Sequence, residues 1–323
     1  MAGSDFTIEP EGLTFIGHDL QRPECVLATK SGDLFVSDRR GGICRIGSDG
    51  RQSLIEGRDG LMPNGIALLP DGSFLIANLH GEGGVWRLDG RGGAEPFVMD
   101  VEGVRLEAVN FVRLDAQGRI WICANPPLGA DGQYNTDVAV GFIAMADQSG
   151  HARMVADGIG WANECLVPAA GDRLYINETF GRRLTAFDIC SAGRLANRRV
   201  VAQFGPGTYP DGLTEDEEGG IWVVSVASNR VIRVLRDGAQ QLVLEDNDPA
   251  YIDELEVSYR ANTLTRAQLT GSVGRVLSSI SSIAFAGPDR RTVLLGSIGV
   301  DMLASFRAPV AGSRPVHWDF RLP

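Results

Sequence analysis

The sequence is poor in the residues that carry several common chemistries. It has 4 histidines and 5 cysteines in 323 residues. His18, His151 and His317 show no paired spacing, so a histidine dyad has no support. Cys25, Cys44, Cys123, Cys165 and Cys190 are odd in number and form no CxxC pair, which fits reduced thiols better than a disulfide framework. Basic residues are also short: 30 Lys and Arg stand against 41 Asp and Glu, a formal charge of -11. A nucleic-acid partner needs clustered Lys and Arg, so none is expected; the acidity also serves solubility. No run approaches the roughly 18 apolar residues of a membrane helix, so no membrane partner is expected. Residues 1–10 show neither a basic nor an apolar leader region, and the expected location is cytoplasmic.

Glycine is plentiful, at 41 residues against 15 prolines, which signals many tight turns. One pattern recurs six times: a short apolar run, a polar turn, then a run rich in β-branched and aromatic residues. It reads CVLATKSGDLFVSD from Cys25, GIALLPDGSFLIAN from Gly65 and FVRLDAQGRIWICAN from Phe111. It returns as ECLVPAAGDRLYINE from Glu164, GLTEDEEGGIWVVSV from Gly212 and IAFAGPDRRTVLLGS from Ile283. Each is a hairpin signal, and a third strand-like run usually follows. Turn glycines at Gly32, Gly72, Gly118, Gly171 and Gly219 are spaced by blade-sized intervals of roughly 40–50 residues. The pattern predicts an all-β, six-bladed β-propeller forming a single domain over residues 1–323. A β-sandwich would not repeat one local sequence six times.

Eight positions before each turn glycine stand Glu24, Asn64, Asn110, Asn163 and Asp211, with Ser281 or Ser282 as the sixth equivalent. The first strand of each propeller blade lines the central channel, so these side chains should converge at one mouth. Any one of them alone reads as a turn residue bonding its own backbone. Five oxygen-bearing side chains in phase read otherwise, because two carboxylates together raise each other's pKa unless a cation joins them. Hard oxygens without His or Cys suit Ca²⁺ best; Mg²⁺ or Mn²⁺ are also compatible, and Zn²⁺ less so. Two carboxylates among neutral amides make the expected site roughly balanced in charge.

The chain resembles the senescence-marker-protein-30/gluconolactonase family of six-bladed propellers over nearly its full length. The resemblance rests on Pro23-Glu24, on Asn110 ahead of LDAQGRIW, on Asn163 ahead of LVPAAGDRLYI and on Pro210-Asp211-Gly212 ahead of EGGIWV. It implies Glu24, Asn163 and Asp211 as ligands of a divalent metal, with Asn110 at the substrate. It also implies opening of a lactone or related ester by water attack on a metal-polarised carbonyl, with Asp211 and Asn110 in the catalysis. Relatives of the same fold cleave phosphotriesters. Phosphotriester cleavage, an isomerisation, or a ligand-binding propeller with a structural metal are the alternatives. Sugar-lactone members carry an Arg two residues before the third-blade Asn, often an Asp after it, and usually Gly after the fourth-blade Asn. This chain has Ala108, Phe111 and Glu164 at those places, and the missing guanidinium points to a less polar lactone or ester.

Asn64 and Ser281 share the ring's phase and are expected to contact substrate with Asn110. Loops after each second strand should return to the same mouth, bringing His80, Asn125, Glu178 and Ser228, of which His80 and Asn125 are the candidate substrate contacts. An insertion over about 248–272 interrupts blades five and six. Asp248-Pro249 reads as a helix start, and Tyr251, Leu255 and Tyr259 fall on one helical face. It is expected to be a lid, an oligomer contact or a surface decoration.

Overall fold

The computed structural model describes residues 6–126, 134 and 139–321. Six four-stranded antiparallel sheets are arranged as the blades of a β-propeller. Their innermost strands are Val26–Ala28, Pro63–Leu68, Ala108–Leu114, Ala162–Leu166, Pro210–Glu215 and Ile280–Ala286, and each meets the next around a ring. The fourth strand of each blade is poorly legible in the sequence because it lies outermost and is half solvated, as in Leu195–Gln203. Blade six takes its fourth strand from the other end of the chain: Thr14–Ile16 pairs antiparallel with Leu303–Arg307 and closes the ring.

The repeat has a local cause. Gly32, Gly72, Gly118, Gly171 and Gly219 all adopt positive φ, between 68 and 91°, where a Cβ is disfavoured. Asp115 and Asp216 shape two of these turns. Each Oδ1 accepts backbone N–H groups from the turn, and each Oδ2 accepts the indole N–H of Trp121 or Trp222 at 2.7 Å. The motif D-x5-W thus ties the turn to a buried tryptophan of the next strand. In blade six Arg290 occupies the left-handed turn position (φ 53°), one residue later than the glycines, which accounts for the slip in phase.

The apolar core lies between blades, where flat faces stack: Trp86 and Trp121 belong to one such cluster and Trp222, Phe285 and Phe306 to another. Burial of such side chains contributes roughly 1.5–3 kcal/mol each before entropy is counted. The insertion forms helix α1 (Pro249–Arg260), capped by Asp248, and helix α2 (Arg266–Thr270), opened by a Thr265/Gln268 capping box. Ile252, Leu255 and Tyr259 of α1 pack on Phe180, Tyr209 and Val226 from the loops of blades four and five. Among the described residues no helix is long and apolar enough to cross a membrane.

Candidate metal and substrate site

The innermost strands carry their ring residues at bulges. The antiparallel register shifts between Pro63 and Ile66, Val109 and Phe111, Ala162 and Cys165, Pro210 and Leu213, and Ile280 and Ser282. The first residues inside these gaps are Asn64, Asn110, Asn163, Asp211 and Ser281. A bulge re-aims a side chain that regular alternation would send into the sheet face, and here it happens at the same height in five blades. Glu24 stands just ahead of its strand, which begins at Val26.

Residues immediately after the ring form a second tier inside the channel. Gly65 and Gly212 leave room there: a Cβ on Gly65 would lie 2.3 Å from the Phe111 ring, and one on Gly212 2.6 Å from the Ser281 carbonyl. Phe111 therefore belongs to the channel filling beneath the ring and does not line the cavity above it. Glu164 occupies the same tier. Its Oε2 accepts the Leu213 N–H at 3.2 Å, and its Oε1 has no partner.

Glu24, Glu164 and Asp211 bring one carboxylate oxygen each within 4.8 Å of one another, all three side chains buried. The expectation of two carboxylates balanced by amides is corrected: three acids converge. The sequence phase gave Glu164 no part in the ring; the two-residue bulge between Ala162 and Cys165 brings both Asn163 and Glu164 to the channel. Burial, opposed by the Arg22 charge and the Asn64 hydrogen bond, pushes Glu24 up to about 7. Burial and the Glu24 charge hold Asp211 well above the ordinary carboxylate range; burial, Glu24 and Asp211 do the same for Glu164. Glu24 Oε2 and Asp211 Oδ1 are also without hydrogen-bond partners. Three buried, closely spaced carboxylates, each carrying an oxygen without a hydrogen-bond partner, constitute a donor set that a hard divalent cation satisfies.

Amides hold the acids in place. Asn64 donates to Glu24 Oε1 at 2.7 Å and to the Asn110 carbonyl at 2.8 Å, and its own oxygen accepts from Arg22 Nη2 at 2.7 Å. Asn110 donates to Asn163 Oδ1, and Asn163 donates to Thr179 Oγ1 at 2.9 Å. Thr179 passes the chain on to the Pro210 carbonyl at 2.8 Å, next to Asp211.

Above this floor opens a cavity of about 500 Å³. Glu24, Asn64, Asn110, Asn163 and Asp211 form its base, His80 and Ala108 lie on its wall, and Arg266, Leu269 and Thr270 of the insertion complete it. The insertion is therefore part of the cavity. Asn125 and Ser281 stand apart from this lining. Asn125 clamps the Ala162 backbone through both amide atoms at 2.8 and 2.9 Å, and Ser281 donates to the Glu24 carbonyl at 3.2 Å. Glu178 is engaged by Arg183, Arg198, Thr185 and the Gly160 N–H, and Ser228 bonds Ser225. Sequence reasoning missed Arg22, Arg105 and Arg266. Although position 108 is alanine, guanidinium groups reach the cavity from three other elements, so the inference of a less polar substrate from Ala108 does not carry over to the folded site.

A family model described as "SMP-30/Gluconolactonase/LRE-like region" matches residues 22–245. Over 160 residues the chain is 27% identical to an L-arabinolactonase of Azospirillum brasilense, covering 47% of this chain and 50% of that one. Over 150 residues it is 26% identical to a diisopropyl-fluorophosphatase of Loligo vulgaris, covering 44% and 48%. These matches span about half the length of each curated relative. Among solved structures, a calcium-binding regucalcin of Agrobacterium tumefaciens superimposes with a TM-score of 0.68 at 17% identity, covering 98% of this chain and 99% of that one. With the model match extending over more than half of the sequence, the chain belongs to the SMP-30/gluconolactonase/LRE-like family.

Proposed function

We propose that the protein is a divalent-metal-dependent hydrolase that opens a lactone or related ester. The observation that carries this reading is the clustering of Glu24, Glu164 and Asp211, each with an unpartnered oxygen, where Glu24 and Asp211 line a cavity large enough for a small organic substrate. Glu24, Asn163 and Asp211 would hold the cation, with Ca²⁺ the favoured ion and Mg²⁺, Mn²⁺ or Zn²⁺ as substitutes. The calcium binding of the regucalcin relative and the lactone chemistry of the arabinolactonase support that assignment. When bound, the cation supplies Lewis-acid polarisation of the ester carbonyl.

The chain's own residues do the rest. Asn110 has one amide N–H committed to Asn163 and a second free to meet the oxygen on which charge develops. Asp211, at the base of the cavity, takes a proton from the attacking water. The water oxygen bonds to the carbonyl carbon, the acyl C–O bond breaks, and the ring oxygen leaves as a hydroxyl carrying one proton; the other is released with the product carboxylate. The insertion acts as a lid that shields this exchange. Five unpaired thiols fit a reducing compartment such as the cytoplasm.

A panel of lactones assayed before and after chelation, then restored with Ca²⁺ or Mn²⁺, tests the reading. Turnover unaffected by complete metal removal would sink it. The fluorophosphatase relative supports a second reading, and a fluorophosphate triester belongs in the same panel. A purely binding role would leave ligand affinity intact in Asp211→Asn, whereas an enzyme loses turnover.

A further inference from the structure

Besides its acidic base the cavity is lined by cations. Arg22, Arg105 and Arg266 face it with His80, and exposed Glu107 is the acid on the same wall. Elsewhere in this acidic chain arginines are routinely neutralised, as in Arg45–Asp33, Arg119–Asp115 and Arg233–Asp216. The three at the cavity have no carboxylate in ion-pair contact among the described residues. Arg22 donates to the Asn64 amide oxygen and Arg105 to the Glu82 carbonyl. Arg266 donates to His80 Nε2 at 3.1 Å, so the imidazole accepts and is neutral.

Arg22 and Arg266 line the same cavity. Burial and then the charges of Arg266 and Arg22 hold His80 below its ordinary value. Guanidinium groups gathered at one cavity with no carboxylate in ion-pair contact leave charge that an anionic ligand can pair. Arg22 is moreover held in the left-handed region at φ 55°, a conformation that non-glycine residues adopt when the surroundings impose it. Its carbonyl accepts the Glu24 N–H at 2.7 Å, so the backbone turn that presents Glu24 also presents the guanidinium. An aromatic cluster lines the same cavity: Phe180 lies 5.0 Å from Tyr134 and 5.3 Å from Trp161, centroid to centroid.

We infer that the substrate is an anionic lactone or ester, bearing a carboxylate that Arg22 and Arg266 hold while its apolar ring rests on Trp161 and Phe180 and its ester carbonyl faces Glu24 and Asp211. This rests on the hydrolase reading and narrows it. The fork geometry of guanidinium suits a carboxylate, and the lid contributes half of the grip, so anion binding also fastens the insertion over the site. A neutral phosphotriester offers these arginines no anionic charge to pair.

The test uses the purified, metal-loaded protein and a matched pair of compounds, 5-oxotetrahydrofuran-2-carboxylate and its carboxamide. The carboxylate is expected to show a kcat/KM about tenfold or more above the amide, as for loss of a charge-assisted hydrogen bond. Arg266→Ala should shrink that preference severalfold, mainly through KM, and Arg266→Lys should restore part of it. Arg266 is exposed, so both variants are expected to fold, which a thermal melt verifies. A second arm removes hydrolysis from the question: calorimetric binding of cyclopentanecarboxylate and cyclopentanecarboxamide in excess chelator, where no cation can hold the carboxylate. Arg266-dependent binding of the carboxylate alone supports the anion site even when no lactone is turned over, and in that case the hydrolase reading fails by itself. Equal handling of carboxylate and amide, or a preference unchanged in Arg266→Ala, overturns the inference.

Discussion

The guanidinium of Arg182, at the turn after the second strand of blade four, meets the carboxylate of Glu256 on helix α1 at 2.7 Å, with both side chains buried. Arg182 also donates to the Tyr209 hydroxyl at 2.6 Å and lies 3.4 Å from the centroid of the Tyr259 ring. Burial works against the Glu256 charge, yet the Arg182 hydrogen bond and the Gly207 N–H hold its carboxyl below its ordinary range. The insertion that completes the cavity is thus bolted to the propeller by one ion pair inside an aromatic setting.

Glu256→Ala leaves Arg182 charged and unpaired in that setting. Removal of one partner from a buried pair costs about 3–5 kcal/mol, and Glu256→Gln should cost less because it keeps an acceptor. Urea unfolding measures the loss, and hydrogen exchange should rise across residues 249–270 before the blades respond. A loss below about 1 kcal/mol for the alanine variant would show that apolar packing alone docks the lid.

Asn64 anchors Glu24 from one side and the Asn110 backbone from the other. Asn64→Ala should lower divalent-cation affinity by roughly 10–100-fold, the usual effect of removing a group that orients a ligand. Calorimetric titration with Ca²⁺ reads it directly. Unchanged affinity would remove Asn64 from the metal centre.

Glu164→Gln should act with opposite sign on the two forms of the protein. Without a cation it removes an acid whose charge is opposed by burial, Glu24 and Asp211, so the melting temperature should rise. With a cation it removes an attraction, so the stabilisation added by Ca²⁺ should shrink. A variant that melts lower without metal and gains as much from Ca²⁺ as the wild type contradicts this account.

Glu178 supplies a pH dependence independent of the site. Burial opposes its charge, but hydrogen bonds from Arg183, Thr185 and the Gly160 N–H hold its carboxyl below the ordinary range in the folded state. The unfolded chain therefore binds this proton more readily, and the stability Glu178 contributes is present above the unfolded value of about 4.3 and is lost as pH falls through the folded one. Glu178→Gln should be less stable than wild type at neutral pH, with the gap narrowing on acidification. Denaturant melts from pH 3 to 7 would show a constant gap if the carboxylate were not the source.

The blade count, the phase of the ring and the helical start at Asp248 were legible in the sequence because each is a local matter: a turn that demands positive φ at glycine, alternation along a strand, a capping side chain beside a proline. Those same rules named Glu24, Asn64, Asn110, Asn163 and Asp211 as neighbours. They gave no place to Glu164 or Phe111, because bulges add a residue to one strand and only the paired register reveals which side chain then enters the channel. They also offered no means of bringing Arg22, Arg105 and Arg266 to one wall. These residues come from a segment ahead of blade one, a short hairpin and an inserted helix, and share no phase. Sequence by itself determined the repeat and hence the carboxylate floor; tertiary closure decided the cationic wall above it, since convergence of non-repeating segments depends on packing between elements far apart in the chain.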